Sequence, residues 1–519
     1  MNKLRSSVLV ATLLVVCCQA VLFAEAHTTV EPRDALVMVN MRSIMGKSAG
    51  NGFVIGDGTL VVTAHHLVFE ESEQGQHEMR ALVFVASPYL GDASEAMIVA
   101  ADGELDLAVL KIPWKGHPAL RLIDEPSLLS AERLTVVGIP ETIRSIGPGA
   151  HGPVLESLDG QTEDLTIDFV AMRQKIPRFI SLSGVGQLGH GWSGSPMLVP
   201  DSDIAAGCFT SLHTKRGELI GARGPAATQV GRLLKQSGCE QSLMPADSHL
   251  SRCEDAMDAF ILLAQAYHHS SNDQYGRASD RIEKFINMRP ESSFGYVQSA
   301  MIAEKQERFD LAEQHHQKAL ELNPDAMGWR FYYAQFLTSR QPDKALEILQ
   351  GMWHVDELKP AVALLMFNVL SGRGQFQRAG ELLNEALKLN PRNAYLRLNL
   401  GACQYQSDKI DEAIANCTKA VELLPERGPF RAQLARMLEE AGRLDEAEEH
   451  FRELLKIEPD NPVVHLWLAR FLGKHRPQGK DEALKEAQIA LELPRKKGLS
   501  KKKIEQVIQE LRSKTTPAP

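Results

Sequence analysis

The residues of this chain best suited to nucleophilic chemistry surround Ser193, in the stretch 189-GHGWSGSPM-197. Gly, Ser and Pro are also the ordinary residues of turns, so the stretch alone does not identify a nucleophile. A serine hydroxyl is a weak nucleophile at neutral pH. It needs a base that takes its proton, an acidic group that orients the base, and backbone N–H donors for the developing oxyanion. The rest of the chain decides whether Ser193 has these partners.

A base and an acid are available in two other segments. His65 and His66 end an apolar strand in 60-LVVTAHHLV-68, and Asp106 begins another in 102-DGELDLAVLKIP-113. Each has a plainer alternative: a hydrogen-bonded core histidine with an exposed neighbour, and a carboxylate that caps its strand or faces water. Together they stand in the order His, Asp, Ser, about 40 and 87 residues apart, which is more specific than any one segment.

The elements that must position these residues are strands. Short segments rich in Val, Ile and Leu, separated by Gly, Pro, Asp or Ser, recur from about residue 35 to 235. So many strands without helical spacing indicate a barrel or a sandwich.

Three motifs together resemble the trypsin-like serine proteases, especially their HtrA-like branch. The family's G-x-G-F-x-I before a strand ending in T-x-A-H is matched by 50-GNGFVI-55 and 63-TAHH-66. Its D-L-A-V-L-K strand is matched by 106-DLAVLK-111, and its G-x-S-G-G-P turn by 191-GWSGSP-196. The resemblance implies a double β-barrel and hydrolysis of peptide bonds through an acyl-enzyme.

The resemblance also implies a role for each matched residue. His66 is the general base, because His65 falls where the family has a small residue. Asp106 is the orienting carboxylate and Ser193 the nucleophile. The backbone N–H groups of Gly191 and Ser193 form the oxyanion hole, and a glycine permits the unusual dihedrals that such a turn needs.

Two departures from the family pattern lie beside the nucleophile. Trp192 replaces the usual Asp or Asn, and Ser195 replaces the second glycine. A bulky Trp192 could shape the primary pocket or block it. The alternative to an active protease is therefore a silent pseudoprotease that serves as a secreted or periplasmic scaffold for protein interactions.

The second half of the chain repeats every 34 residues, the tetratricopeptide spacing. Small residues recur at one phase (Ala278, Ala312, Ala345, Ala379, Ala413, Ala447), and prolines at another (Pro290, Pro324, Pro391, Pro425, Pro459). Small side chains let paired helices approach closely, and a proline ends the second helix. The segment resembles tetratricopeptide repeats, which implies an all-α solenoid with a groove for a peptide or partner protein. We expect the groove to include Phe294, Val297, Met301, Tyr395, Leu398, Tyr405, Arg436 and Glu439.

The first 26 residues have a basic start, an apolar run and an A-x-A end, which predict a secretory signal peptide, with an uncleaved membrane anchor as the alternative. We therefore expect an exported chain, periplasmic or extracellular, with no stable membrane span once the signal is cleaved. The predicted domains are the signal peptide at 1–26, the protease at 33–238, a linker at 239–254, about seven repeats at 255–494, and a capping helix with a disordered tail at 495–519.

An exported chain can form disulfides. Cys239 and Cys253 flank a polar stretch and could close it into a loop. Cys403 and Cys417 fall on neighbouring helices and could also pair, although buried free thiols are the alternative.

Composition excludes some classes of function. The net charge is -9, which gives no reason to expect nucleic acid as a partner. Adjacent histidines such as His315 and His316 diverge on a helix, unlike the i, i+4 pair of a zinc site, so we expect no metal. The glycine-rich stretches lack a phosphate-binding Lys-Ser/Thr, and no cofactor is expected. The predicted partners are protein or peptide substrates, with protein partners bound in the solenoid groove.

Overall fold

The computed structural model describes residues 30–42, 47–71, 77–79, 82–123, 133–136, 165–168, 179–182, 193–199, 202–215, 218–243, 250–251, 255–356, 358–494 and 500–513. Strands fill the first part and helices the second, as the sequence predicts. The strands are β1 Leu36–Arg42, β2 Lys47–Ile55, β3 Leu60–Ala64, β4 Phe69–Glu71, β5 His77–Met79, β6 Leu82–Ser87, β7 Asp92–Asp102, β8 Leu107–Lys111, β9 Arg121–Leu122, β10 Arg133–Val136, β11 Leu165–Asp168, β12 Phe179–Leu182, β13 Pro196–Leu198, β14 Ile204–Cys208, β15 Ser211–Lys215 and β16 Glu218–Pro225.

Six of these strands close into a barrel in the order β1-β2-β3-β8-β7-β6. Closure satisfies every strand edge, so the barrel leaves no unpaired row of backbone groups. The inward side chains are apolar and mostly β-branched or small, as in Val37, Val54, Val61 and Ala108, and they are buried. The predicted apolar segment at 60–68 is a strand only as far as Ala64, because the short helix α1 (His65–Val68) follows it.

The remaining described strands form a second β region. A five-stranded sheet has the order β11-β10-β13-β14-β9, and a three-stranded sheet has the order β12-β16-β15. Strand β13 starts directly after the Ser193 loop and pairs with β14, with Pro196 opposite Cys208. This pairing sets where the loop ends.

Sixteen helices follow the strands in the part of the chain that the structure describes. They are α2 Ala227–Gln236, α3 Ala256–Ser271, α4 Tyr275–Met288, α5 Ser293–Lys305, α6 Phe309–Leu322, α7 Met327–Leu337, α8 Pro342–Gly351, α9 Lys359–Gly372, α10 Phe376–Leu389, α11 Ala394–Gln406, α12 Ile410–Leu423, α13 Gly428–Glu440, α14 Leu444–Ile457, α15 Pro462–His475, α16 Lys480–Glu492 and α17 Lys501–Ser513. No described helix is long and apolar enough to cross a membrane.

The phase of the repeat has a direct packing explanation. All six phased alanines, from Ala278 to Ala447, lie in the second helix of a pair and are completely buried. Each phased proline stands two residues beyond the end of such a helix, as Pro425 does after Leu423. A methyl group at the contact lets the helices pack closely, and a proline cannot continue the helix.

The chain divides into two compact units. The first joins the strand-rich region to the helices as far as Leu322, and the second runs from Asn323 onward together with the segment Glu70–Ala81. The first two helix pairs therefore cluster with the strands. In the second unit, α17 packs Ile504, Val507 and Leu511 into the core that it shares with α15 and α16.

The disulfide considered between Cys403 and Cys417 is not formed, so this suggestion was wrong and the alternative of free thiols holds. Both side chains are buried, and Cys417 Sγ lies 3.5 Å from Met437 Sδ instead. Burial raises the pKa of Cys403 to about 11 and that of Cys417 to about 12, which keeps both thiols protonated. Cys239 is also a free thiol. Its suggested partner Cys253 lies outside the described residues, so that pairing stays a prediction.

Candidate active site

Antiparallel pairing of β3 and β8 brings the histidine segment to Asp106. Ala64 is opposite Leu107 at the end of the ladder, so the next residues on each strand, His65 and Asp106, also meet. The His65 N–H donates to the Asp106 carbonyl at 3.1 Å. A histidine that ends one strand and an aspartate that begins its neighbour are therefore adjacent, although they are about 40 residues apart in sequence.

His66 is the histidine whose ring faces Asp106. Its Nδ1 lies 2.9 Å from Asp106 Oδ2 and 3.1 Å from Oδ1, and its backbone N–H donates to Oδ1 at 2.9 Å. A carboxylate accepts only, so Nδ1 carries a proton, and in the neutral ring Nε2 then keeps its lone pair. His65 instead stacks on Phe69, with ring centroids 4.2 Å apart, and is buried.

Asp106 has an unusual backbone conformation, with φ at 54°. A side-chain-bearing residue with positive φ is uncommon, and Asp and Asn adopt this region more readily than most. The turn before it is fixed by Asp102, whose carboxylate accepts the Leu105 N–H at 3.0 Å. Asp102 thus caps the turn while Asp106 meets the histidine.

Backbone hydrogen bonds join the Ser193 loop to both β regions. The Ser193 carbonyl accepts the Asn51 N–H at 2.7 Å, from the first barrel. The Gly194 N–H donates to the Phe209 carbonyl at 2.8 Å and the Phe209 N–H donates to the Ser195 carbonyl at 2.7 Å, which extends the β13–β14 ladder. The nucleophile candidate therefore lies where the two β regions meet.

Glycines allow the close contacts at this junction. A Cβ on Gly50 would lie 2.2 Å from Leu67 Cδ1 and 2.8 Å from the Ser193 carbonyl oxygen, so the strand passes between the histidine helix α1 and the serine loop. Gly194 has φ at +88°, and a Cβ there would lie 1.7 Å from the Asn51 carbonyl oxygen. Neither position tolerates a side chain without displacing backbone.

The Ser193 hydroxyl donates to the Thr210 carbonyl at 3.3 Å. Thr210 follows β14 and is buried. Within the described part of the chain the hydroxyl is therefore directed to Thr210 rather than to the His66 ring. A rotation about χ1 of Ser193 changes this direction without moving the backbone.

The electrostatic surroundings of Asp106 include a buried thiol. Burial, followed by the charge of the Asp106 carboxylate, raises the pKa of Cys208 well above its ordinary value. The thiol is therefore protonated and unreactive at neutral pH. The side chains of His66 and Asp106 are 40% and 28% exposed, so both are open to solvent.

Gly191 and Trp192 lie outside the described residues, so the oxyanion-hole role of Gly191 and the effect of Trp192 stay predictions. Asn51 and Thr210 contact the serine loop and were not predicted. Asn51 is the first of the two variable positions of the matched 50-GNGFVI-55, and its location inside that motif is the feature of the sequence that could have identified it.

Two of the eight residues predicted for the solenoid groove line a groove in the structure. Tyr405 and Arg436 line a groove of about 580 Å³ in the second unit, with Phe376, Gln433 and Trp467 among its other lining residues. The groove crosses α11, α13 and α15, the first helices of successive pairs.

Other predicted groove residues contribute to the core instead. Val297 and Leu398 are buried, and Phe294 is buried with its ring edge against Phe84. Tyr395 packs edge-on against Phe430, with centroids 4.9 Å apart. Gln433 and Trp467 are 34 residues apart, so the repeat phase relates these two groove residues although the sequence alone did not single them out.

Comparison with known proteins agrees with both halves of the fold. A family model for the trypsin-like peptidase domain matches residues 50–204. Tetratricopeptide-repeat models match 295–326, 370–415 and 406–470. The chain is 24% identical over 250 residues to a probable periplasmic serine endoprotease DegP-like of Pseudomonas putida, covering 39% of this chain and 50% of the relative.

The chain is also similar to a second curated protein and to a solved tetratricopeptide repeat protein. The chain is 27% identical over 223 residues to the antiviral innate immune response effector IFIT1 of Homo sapiens, covering 36% of this chain and 45% of the relative. A solved tetratricopeptide repeat protein from Parabacteroides merdae is 12% identical with a TM-score of 0.38, covering 48% of this chain and 97% of that structure. The chain thus spans about half the length of the curated relatives it matches.

Proposed function

We propose that this chain, a trypsin-like peptidase domain followed by tetratricopeptide repeats, is an exported serine endopeptidase. The observation that carries the proposal is the bond between His66 Nδ1 and Asp106 Oδ2 at 2.9 Å. This bond leaves the Nε2 lone pair of His66 as a base on the side of the ring away from the carboxylate. The serine loop is tied to the same barrel through Asn51.

In the proposed reaction Ser193 Oγ attacks the carbonyl carbon of a peptide bond, and His66 Nε2 takes its proton. Asp106 stabilises the imidazolium that forms, while the N–H groups of Gly191 and Ser193 receive the oxyanion. His66 returns the proton to the departing amine, which leaves an ester on Ser193. A water molecule then hydrolyses this ester by the same route, and the hydroxyl is restored.

The reaction requires the Ser193 hydroxyl to leave the Thr210 carbonyl. Their contact is 3.3 Å long, beyond the usual range for an O–H···O bond, so it opposes rotation only weakly. Substrate binding beside His66 would favour the rotated conformer.

A fluorophosphonate probe tests the proposal, because it forms a covalent bond with an activated serine. We expect the folded wild-type chain to be labelled and to hydrolyse a denatured protein substrate, and Ser193→Ala to do neither. Ser237→Ala is a matched control, since that hydroxyl hydrogen-bonds the Leu233 carbonyl at the end of α2, away from the serine loop. Equal labelling of wild type and Ser193→Ala would contradict the proposal.

The second candidate function is a non-catalytic scaffold. The residue beside the nucleophile favours it, because Trp192 replaces the usual Asp or Asn and a bulky indole there could block the primary pocket. Trp192→Asn restores a residue type usual in the family at this position. A chain that is inert as wild type and becomes labelled as Trp192→Asn would establish the scaffold over the protease.

For the solenoid we propose that the groove binds a peptide segment of a substrate or partner. Trp467, Tyr405 and Phe376 supply aromatic surface, and Arg436 and Glu440 supply charge of both signs. Such a mixed lining suits a peptide better than a single small ion. We expect Trp467→Ala to weaken binding of library-selected peptides about 30-fold, the size of a hot-spot effect. Leu389→Ala, an exposed apolar control, should not weaken binding.

We also propose that residues 1–26 direct export. The apolar run and the A-x-A end support this, and the similar protein of Pseudomonas putida is named as periplasmic. Sequencing the N-terminus of the protein purified from its native host tests the prediction. A mature start at His27 supports cleavage, and a retained Met1 contradicts it.

A further inference from the structure

Two buried polar side chains pair beside the nucleophile candidate. Asn51 Nδ2 donates to Ser195 Oγ at 2.6 Å, and both residues are completely buried. They are 144 residues apart in sequence and belong to different β regions. Ser195 stands where the matched family has glycine, so the pair arises from a departure from the family pattern.

The backbone of Asn51 makes two further bonds. Its N–H donates to the Ser193 carbonyl at 2.7 Å, and its carbonyl accepts the Thr63 hydroxyl at 2.7 Å. Thr63 is in β3, the strand that leads into His66. One residue thus connects the serine loop, through Ser193 and Ser195, to the strand that carries the base.

A serine at position 195 would be unfavourable without this partner. A buried hydroxyl that lacks a hydrogen bond destabilises the fold, whereas glycine has no such group. The bond to Asn51 satisfies the hydroxyl and also fixes the distance between the loop and the barrel. Gly194 lies between Ser193 and Ser195 and has no side chain that could pack to hold the loop. The hydrogen bonds of Asn51 to Ser193 and to Ser195 therefore fix the loop on both sides of Gly194.

We propose that Asn51 is a positioning residue for the nucleophile: its amide, through Ser195, holds the Ser193 backbone at the place from which the hydroxyl reaches His66. The inference rests on the proposed protease function. Asn51 itself takes no part in bond making, so its effect is on the rate at which bound substrate reacts. Misplacement of a reacting group by about 1 Å can slow a reaction about 100-fold.

The test is a double-mutant cycle read by fluorophosphonate inactivation, with the maximal rate of inactivation and the half-saturating probe concentration measured separately. The variants are Asn51→Ala, Ser195→Ala and the double variant. We expect each single change to lower the maximal rate about 10- to 100-fold with the half-saturating concentration unchanged. The double variant removes both the Asn51 amide and the Ser195 hydroxyl, so neither polar group is left without its hydrogen-bond partner. It should therefore react no more slowly than the slower single variant.

Val85→Ala controls for general loss of stability, because Val85 is buried in the barrel core and makes none of the hydrogen bonds that hold residues 193–195 in the described part of the chain. It should lower the melting temperature and leave the maximal rate unchanged. If Asn51→Ala does not fold, Ser195→Ala carries the test, since it deletes only a hydroxyl.

Single variants that react at the wild-type rate would overturn the positioning role while the protease function stands. Effects that multiply in the double variant would also overturn it, because they would show that the two residues act independently. A wild-type chain that is not labelled would overturn the protease function, and the positioning role with it.

Discussion

Asp106 binds His66 twice, with Oδ1 accepting the backbone N–H at 2.9 Å and Oδ2 lying 2.9 Å from ring Nδ1. Because the backbone N–H binds Oδ1, Oδ2 is the carboxylate oxygen that lies nearer to ring Nδ1. The ring therefore has one orientation and, when neutral, one favoured tautomer, in which the proton is on Nδ1. This arrangement makes the consequences of replacing Asp106 specific.

We predict that Asp106→Asn slows fluorophosphonate labelling by about four orders of magnitude. The amide oxygen would stay with the His66 backbone N–H, so the NH₂ group would face Nδ1. The ring would then carry its proton on Nε2 and could not accept one from Ser193. Asparagine tolerates positive φ, so the melting temperature should change little. Labelling within about 10-fold of wild type would contradict this role for Asp106.

We predict that Gly194→Ala abolishes labelling and lowers the melting temperature. An added Cβ would lie 1.7 Å from the Asn51 carbonyl oxygen, and φ at +88° is strained for alanine. Gly231→Ala, inside helix α2, is the matched control, because a Cβ there meets nothing within 4 Å. Replacing a helical glycine by alanine should stabilise by up to about 1 kcal/mol. A fully active Gly194→Ala would show that the loop is held differently.

We predict that His117 makes the fold lose stability in mild acid. Burial lowers the pKa of His117 to about 4 from its ordinary value of 6.5, and Ser87 Oγ and the Pro118 carbonyl bind its two nitrogens. As the pH falls from 6.5 to 4, His117 therefore binds a proton in the unfolded chain but stays neutral in the folded chain. The free energy of unfolding should fall by about 2 kcal/mol from pH 7 to pH 5 on this account.

His117→Asn is the comparison for that measurement, with urea unfolding followed at both pH values. The variant keeps an amide near the Pro118 carbonyl but cannot be protonated in this range. Its free energy of unfolding should depend less on pH than that of the wild type. The same pH dependence in both chains would assign the acid sensitivity to other groups.

We predict that Ser292→Ala destabilises the first unit by about 1–3 kcal/mol. Ser292 Oγ accepts the Gly295 N–H at 3.2 Å, which caps α5, and donates to Asp92 Oδ1 at 2.5 Å. Burial raises the pKa of Asp92, so loss of a donor leaves a carboxylate that is already poorly solvated. Ser500→Ala is the control, because Ser500 Oγ caps α17 by accepting the Lys503 N–H and is exposed. Equal losses in calorimetry for the two variants would show that the Asp92 bond adds nothing.

Much of the fold follows from local patterns. The repeat phase predicts the helix pairs because burial of Ala413 or Ala447 depends only on neighbours in the same and adjacent units. The order and content of the three motifs predict that His66, Asp106 and Ser193 belong to one domain of known type. Their spacing along the chain does not give distances.

The long-range contacts could not be predicted from the sequence. The Asn51–Ser195 bond joins residues 144 positions apart, and no local pattern predicts it. Val297 and Tyr395 have the helical phase of groove residues, but packing against neighbouring helices decides which phased residues are buried. The direction of the Ser193 hydroxyl toward Thr210 is a rotamer choice that depends on the folded surroundings.

The most direct measurement of the central claim is the site of covalent labelling in the folded wild-type chain. After reaction with a fluorophosphonate and digestion, mass spectrometry should find one adduct, on Ser193. Prior alkylation of the His66 ring with a chloromethyl ketone should block it, because the base is then lost. An adduct on any other serine, or none on a chain shown to be folded, would contradict the assignment of Ser193, His66 and Asp106 as a catalytic triad.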